Sequence, residues 1–195
     1  MTYAEKNLGF ATAHKLMALE RCGFCYEKEF VDLLPNPTRE DEPDYFVLGS
    51  AIDYLLTEGR KKFNEKYKVV KVRSKKEKAL AEENGYTLLT ESMYEMLHGM
   101  EWEYMQNELF KRKRLKKKII EREIGGVKVR AEIDDYIKKR PYFIDLKTTA
   151  NIQKFDEHDY TFQMAFYNLL IEEETGEKKT ARLEVLDKYA HFSRS

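Results

Sequence analysis

The sequence has few cysteines and no long apolar run, and each shortage excludes a class of protein. Only two of its 195 residues are cysteine, in one Cys22-Gly-Phe-Cys25 pair. One pair cannot supply the four ligands of a structural zinc or iron–sulfur site, so we expect reduced thiols there. No apolar run approaches the ~18 residues of a membrane span, and the N-terminus lacks the apolar core of a signal peptide. We therefore expect a cytoplasmic protein without a membrane partner.

An excess of one charge is also missing, because 35 basic residues balance 35 acidic ones. A neutral sum does not exclude nucleic acid as a partner, since binding depends on where the charges sit. The segment Lys111–Lys118 reads KRKRLKKK. This run is either the solvated end of a helix, where the helix dipole favours positive charge, or a tract that follows a DNA backbone with salt-dependent affinity.

Apolar residues are plentiful, at 42% of the chain, which is enough for the core of one domain over residues 1–195. Apolar periodicity predicts helices at residues 4–33, 45–58, 75–84, 91–109 and 159–174, and strands at residues 67–73, 119–124, 127–137, 142–146 and 181–186. Gly125-Gly126 and residues 138–141 suit tight turns, so the middle three strands form an antiparallel meander. This order predicts a mixed α/β (α+β) domain rather than a repeating βαβ array.

The meander brings two acids and a lysine towards one place. Residues i and i+2 of a strand face the same side, so Asp145 and Lys147 point together. Asp134 lies near the end of the preceding strand and can approach Asp145 across the turn. Such an oxygen-rich site suits Mg²⁺, which would lower the pKa of a bound water and neutralise charge on a phosphate. The alternative is a surface hairpin with weak cross-strand ion pairs, and these residues alone leave both open.

An acid, a gap and then D-x-K is the motif of the PD-(D/E)XK nuclease superfamily. IDLKTTANIQKF and the later YTFQMAFYNLL resemble the phage and prophage recombination exonucleases, the group of exonuclease VIII and lambda exonuclease. In that group D-(I/V/L)-K-T-T ends a strand and a Q-x-x-x-Y helix follows, here with Gln163 and Tyr167. LGSAIDYLL resembles the G-x-x-x-H helix of the group, with Gly49 matched and Asp53 in place of the histidine. The resemblance spans about residues 14–175, and its DLKTT-to-QMAFY part is the specific one.

The resemblance implies a restriction-endonuclease-like core, with a central mixed sheet flanked by helices. It implies a metal-dependent deoxyribonuclease, a 5′–3′ exonuclease on linear duplex DNA in phage-type recombination or repair. The implied ligands of Mg²⁺, for which Mn²⁺ can substitute, are Asp53, Asp134, Asp145 and the backbone carbonyl of Leu146. The implied catalytic residues are Asp134, Asp145 and Lys147. The implied DNA-contacting residues are Thr148, Thr149, Gln163 and Tyr167.

Alternatives remain for two of these residues, since Asp53 could instead face solvent and Tyr167 could be a core aromatic. The implied partners are DNA, a single-strand annealing protein and further copies of the chain in a ring. The implied setting is the cytoplasm of a bacterial host, with a phage or prophage origin.

The absent histidine motivates a rival hypothesis, a nuclease-like fold that holds DNA or a partner without cutting. A third hypothesis, a repair or CRISPR-associated nuclease of the same superfamily, ranks lower. Those enzymes commonly hold an iron–sulfur cluster through four cysteines, and this chain has two. The choice between exonuclease and endonuclease cannot be read from these residues.

Overall fold

The computed structural model describes residues 9–21, 44–108, 110 and 113–189. Its α-helices are α1 (Ala13–Arg21), α2 (Asp44–Glu58), α3 (Arg60–Lys66), α4 (Lys75–Asn84), α5 (Glu91–Gln106) and α6 (Thr161–Thr175). Its strands are β1 (Tyr67–Val70), β2 (Thr87–Thr90), β3 (Lys118–Ile124), β4 (Val127–Ile133), β5 (Tyr142–Thr149) and β6 (Thr180–Asp187). The strands pair as β1–β2, β3–β4 and β5–β6. This mixture of helices and small sheets confirms the predicted mixed α/β class.

The chain forms two compact units that alternate along the sequence. The first unit takes residues 1–41, 117–145 and 156–183, and the second takes residues 42–116, 146–155 and 184–195. One domain over residues 1–195 stays a prediction. The Cys22–Cys25 pair and much of the helix predicted at residues 4–33 lie outside the described residues. Within the part of the chain that the structure describes, no helix is both long and apolar enough to cross a membrane.

In the first unit, β3 and β4 form the predicted hairpin. Their antiparallel register runs from Lys118↔Ile133 to Ile124↔Val127. Gly125 and Gly126 make the turn with φ of 58° and 80°, backbone angles that glycine adopts without steric cost. Alternate β4 residues are buried and pack with α1 and α6 in one apolar core, as the period of two in a strand requires.

The second turn differs from the predicted hairpin, because β4 ends at Ile133 rather than at residue 137. Asp134 lies in a bend, and pairing with β5 resumes at one antiparallel bridge, Asp135↔Ile144. Both backbone hydrogen bonds of this bridge are 3.0 Å long. Asp135 is 4% exposed, and its Oδ2 lies 2.7 Å from Nη1 of Arg140. A buried ion pair and one bridge therefore replace the ladder that we expected here.

Strand β5 runs to Thr149, three residues beyond its predicted end, because it pairs with β6. The amide of Thr180 donates to the carbonyl of Pro141 over 2.9 Å, and the amide of Lys188 donates to the carbonyl of Thr149 over 2.8 Å. Both bonds join the same ends of the two strands, so β5 and β6 are parallel. Parallel neighbours need a crossover connection, and α6 supplies it.

In the second unit, α2 is apolar on most of its surface, with six buried aliphatic residues. β1 and β2 are parallel, from Tyr67↔Thr87 to Val70↔Thr90, and α4 crosses between them. Thr90 caps α5, since its Oγ1 accepts from the amide of Met93 over 3.2 Å. Helix α5 then ends at Gln106, before the predicted residue 109.

The basic run therefore begins after the last helical residue of α5, and its described part, residues 113–118, is not a helix. In the second unit the amide of Leu115 donates to the carbonyl of Leu56 over 3.1 Å, at the end of α2. Leu115 is 4% exposed. Arg114 covers Gly59, where an added Cβ would lie 2.5 Å from its guanidinium. These two residues anchor the run to the protein.

Two further members of the run form ion pairs within the first unit. Lys117 lies 2.9 Å from a carboxylate oxygen of Glu132, and Lys118 lies 3.0 Å from one of Glu174. A lysine in an ion pair is less available to a phosphate than a solvated one. The described part of the run therefore serves largely as a structural segment, and tracking of a DNA backbone by this run stays a prediction.

Candidate active site

Asp145 is the most buried of the predicted site residues, with 1% of its surface exposed. It stands in β5 beside Ile144, which pairs with Asp135. Asp134 directly precedes Asp135 and Asp145 directly follows Ile144, so the bridge brings together the two chain segments that carry these acids. Asp134 itself is half-buried, so the bridge orders the pair of acids that the sequence analysis singled out.

Gln163 reaches Asp145 from helix α6 of the same unit. Its Nε2 lies 3.3 Å from Asp145 Oδ1 and 2.6 Å from the hydroxyl oxygen of Tyr167. Residues four apart on a helix are neighbours on one face, which explains why the Q-x-x-x-Y spacing joins these side chains. A buried carboxylate is costly unless it is hydrogen-bonded or bound to a cation. The amide of Gln163 supplies part of that compensation.

Tyr167 is 8% exposed and belongs to the apolar core of the first unit. Its ring centre lies 6.3 Å from that of Phe143, in a tilted arrangement. Tyr167 is therefore a core aromatic residue, and its hydroxyl contacts the site through Gln163. A direct contact between Tyr167 and DNA stays a prediction.

The second unit carries the continuation of β5, in which residues 146–149 are half-buried. The hydroxyl of Thr149 donates to the carbonyl of Asn151 over 3.2 Å and accepts from its amide over 3.1 Å. This hydroxyl is therefore part of the loop after β5. Lys147 stands two residues after Asp145, so the extended strand gives their side chains the same direction.

Helix α2 approaches the same strand at Gly49. A Cβ added to Gly49 would lie 3.9 Å from the Oγ1 of Thr148, an ordinary contact distance. Asp53 follows one turn later on the same helix face and is half-buried. Its half-buried position is compatible with either of the two alternatives for this residue. Its role as a metal ligand stays a prediction.

The donor chemistry of these residues fits a hard divalent cation. Mg²⁺ prefers carboxylate and carbonyl oxygens and keeps several of its waters, so it needs few protein ligands. Asp134, Asp145 and the carbonyl of Leu146 offer oxygens of this kind. Among the residues that the structure describes, no group of three or more His, Cys, Asp or Glu side chains is gathered closely enough to hold a metal. The donors therefore amount to a pair of acids with a backbone oxygen, to which further ligands would be added.

Two residues near this site have no sequence signal that would have revealed them. Arg140 pairs with the buried Asp135, and Lys179 contacts the turn between β4 and β5 through backbone carbonyls. The carboxylate of Asp135 serves this ion pair. An arginine or lysine in a charged, exposed-looking turn is common, and nothing in its spacing predicts such contacts.

Comparison with known proteins agrees with the fold. The model of a family described as a PDDEXK-like domain of unknown function matches residues 15–194. No curated protein matches the sequence. Among solved structures, a protein of Eubacterium rectale described as a “Putative exonuclease” is similar, with a TM-score of 0.69 and 17% identity. That match covers 95% of this chain and 71% of the other. The family model identifies a PDDEXK-like domain, and the structural match shows a shared fold.

Proposed function

Because this chain belongs to the family of PDDEXK-like domains of unknown function, we propose that it is a divalent-metal-dependent nuclease that hydrolyses DNA. The finer proposal is a 5′–3′ exonuclease that acts on linear duplex DNA with Mg²⁺. One observation carries it: a carboxylate with 1% exposure, Asp145, is held by Gln163 from α6. A carboxylate buried to this extent needs a cation or hydrogen bonds to compensate its charge, and a divalent metal would supply a cation.

In this proposal Asp134, Asp145 and the carbonyl of Leu146 bind Mg²⁺, and Asp53 is a further ligand. When bound, the ion neutralises charge that builds on the phosphate and lowers the pKa of a water. Gln163 fixes the orientation of the Asp145 carboxylate through its 3.3 Å hydrogen bond.

Lys147 is the residue that acts on the reacting groups. Because it shares a strand face with Asp145, its ammonium group is directed to the same phosphate. There it orients the attacking water or stabilises the negative charge of the pentacovalent phosphate. Thr148 and Thr149 lie next along the strand and would bind phosphate oxygens, Thr149 after exchanging its bonds to Asn151.

The direct test is incubation of the full chain with linear and closed-circular duplex DNA in Mg²⁺. Degradation of linear DNA only, stopped by EDTA, supports the exonuclease. Labels at the 5′ and 3′ ends then give the polarity. Cleavage of the circle would replace the exonuclease with an endonuclease and leave the nuclease proposal standing.

Variants connect the activity to the site. Lys147→Ala should lower the cleavage rate by about 10²–10³-fold, the usual cost of one lost transition-state donor. The matched control is Lys154→Ala, an exposed lysine in the short 3-10 helix after β5, which should keep the rate. Equal degradation by the two variants would show that Lys147 does not act in the reaction.

A second candidate function is DNA binding without cleavage. The observation that favours it is Asp53, which stands where the related exonucleases keep a histidine. Measurable binding of duplex DNA, with no product in either Mg²⁺ or Mn²⁺, would favour this module over the enzyme. Partnership with an annealing protein and assembly into a ring are proposals by analogy of fold, and light scattering of the purified chain tests the ring.

A further inference from the structure

Lys179 is a buried lysine that contacts the turn between the two acids. It is 5% exposed and directly precedes β6. Its Nζ donates to the carbonyl of Lys138 over 2.9 Å and also to the carbonyl of Arg140. Nζ lies 5.4 Å from the centre of the Tyr136 ring. A buried ammonium group needs such partners, because an isolated buried charge is strongly unfavourable.

Helix α6 holds Lys179 in this position. The side chain of Asn168 accepts from the amide of Lys179 over 2.9 Å and donates to its carbonyl over 2.6 Å. The same helix carries Gln163, whose amide reaches Asp145. One helix therefore contacts Asp145 directly and holds, through Asn168 and Lys179, the turn that leads from Asp134 to Asp145.

The turn needs this support because few ladder bonds cross it. Within the described residues, Asp135↔Ile144 is the bridge that joins the end of β4 to β5. The next residue after Lys179 adds one bond, from the amide of Thr180 to the carbonyl of Pro141. The two bonds from the Lys179 ammonium group to carbonyls of the turn therefore add to a small number of backbone contacts that hold this segment.

We propose that Lys179 is a positioning residue of the nuclease site. By binding two carbonyls of the turn, it fixes the distance between the Asp134 and Asp145 carboxylates, without touching metal or DNA itself. The metal-binding part of this inference rests on the proposed function, whereas the fixing of the turn does not.

The experiment compares Lys179→Met with Lys179→Arg in the full chain. Methionine fills similar space without donors, and the arginine guanidinium can reach two carbonyls. The matched control is Lys178→Met, the neighbouring lysine, which is 73% exposed in its side chain and lies 3.6 Å from Glu172. Two properties are measured: amide hydrogen exchange, and Mn²⁺ binding without DNA by electron paramagnetic resonance.

Lys179→Met should speed exchange of the Asp135 and Ile144 amides by about ten-fold or more, as expected when charge-assisted bonds to the turn are lost. Exchange in the β3–β4 hairpin should stay unchanged. Mn²⁺ affinity should fall about ten-fold, because the loss of a residue that supports a metal ligand commonly lowers metal affinity by about this factor or more. Lys179→Arg should restore most of both properties, and Lys178→Met should match the wild type.

Unchanged exchange at Asp135 and Ile144 in Lys179→Met would overturn the inference. Faster exchange with an unchanged Mn²⁺ affinity would overturn it as well, because the turn would then move without consequence for the acids. If the wild type binds no Mn²⁺, the proposed metal site fails, and the exchange data alone decide whether Lys179 fixes the turn. If Lys179→Met does not fold, Asn168→Ala is measured instead. This variant keeps the ammonium group but removes the two hydrogen bonds that hold the backbone of Lys179, and the same two measurements then test the inference.

Discussion

Replacing Gln163 with leucine removes one hydrogen bond from a carboxylate that has almost no contact with solvent. Asp145 is 1% exposed, and the amide of Gln163 lies 3.3 Å from its Oδ1. A hydrogen bond to a charged group contributes about 1.5–3 kcal/mol. Because this bond is slightly longer than the normal range, we expect its loss alone to lower the free energy of unfolding by about 1.5–2 kcal/mol. For a chain of this size that lowers Tm by about 3–8 °C.

The same amide also donates to the hydroxyl of Tyr167 over 2.6 Å, so the two bonds must be separated. Tyr167→Phe removes only the neutral partner and should cost about 0.5–1.5 kcal/mol. The order of stability should therefore be wild type, then Tyr167→Phe, then Gln163→Leu. Gln153→Leu, at an exposed glutamine, is the control and should stay within about 0.5 kcal/mol of the wild type.

The assay is urea unfolding in EDTA, so that no bound cation contributes. Asp145→Val and the double variant Gln163→Leu/Asp145→Val complete a double-mutant cycle. We expect a coupling free energy of about 1 kcal/mol between the two side chains. Additive effects of the two substitutions would refute the contact, and with it the reason for assigning α6 to the site.

Further predictions concern the same structure. Arg140→Met should cost about 3–5 kcal/mol of stability, because it leaves the carboxylate of Asp135 buried without its cation, and adding Asp135→Asn should restore much of it in thermal unfolding. Gly49→Ala should stabilise the chain by about 0.5–1 kcal/mol, since a helical Cβ there meets only an ordinary contact at 3.9 Å. Gly59→Ala should destabilise it, since φ is 84° and an arginine guanidinium lies 2.5 Å from the added Cβ; equal Tm values for the two glycine variants would contradict this. Burial, with Glu174 nearby, raises the pKa of Tyr136 above its usual 10.0. The stability that the neutral phenol contributes is therefore complete below about pH 10 and is lost as pH rises through the folded pKa. In urea unfolding from about pH 9 to 11, the free energy of unfolding should fall less steeply with pH in Tyr136→Phe than in the wild type.

Local backbone chemistry explains the elements that the sequence predicted well. Gly125-Gly126 makes the β3–β4 turn, and Thr90 caps α5. Gly85 and Gly176 end α4 and α6 in the left-handed region, with φ of 69° and 73°. Each of these signals acts within a few residues of chain, so no knowledge of the rest of the fold is needed to read it.

Elements that depend on distant partners were missed or misjudged. Helix α3 has one buried residue, Phe63, and so shows no apolar period. Strand β2 has four residues, and its parallel pairing with β1 is a contact across α4. The strand predicted to residue 137 ends at Ile133, because beyond it the pairing with β5 is reduced to one bridge at Asp135, whose carboxylate pairs with Arg140.

The same distinction applies to the candidate site. The D-x-K motif and the spacing of Gln163 and Tyr167 are visible in the sequence, and in the structure Gln163 contacts both Asp145 and Tyr167. Lys179 could not be found that way, because its partners are backbone carbonyls, which every residue type presents. Its contacts with the turn are visible only in the folded structure.

The parallel pairing of β5 with β6 has a consequence for the biosynthesis of this protein. The strand that carries Asp145 obtains its β6 neighbour only after the ribosome has made α6 and the chain as far as Lys188, whose amide binds the carbonyl of Thr149. At about 5–20 residues per second, the interval between these two residues lasts roughly 2–8 s. During that interval one edge of β5 presents unpaired backbone groups, which are a template for wrong strand pairing. The strand that carries Asp145 is thus exposed on one edge while the chain is being made, and a chaperone would have reason to cover it.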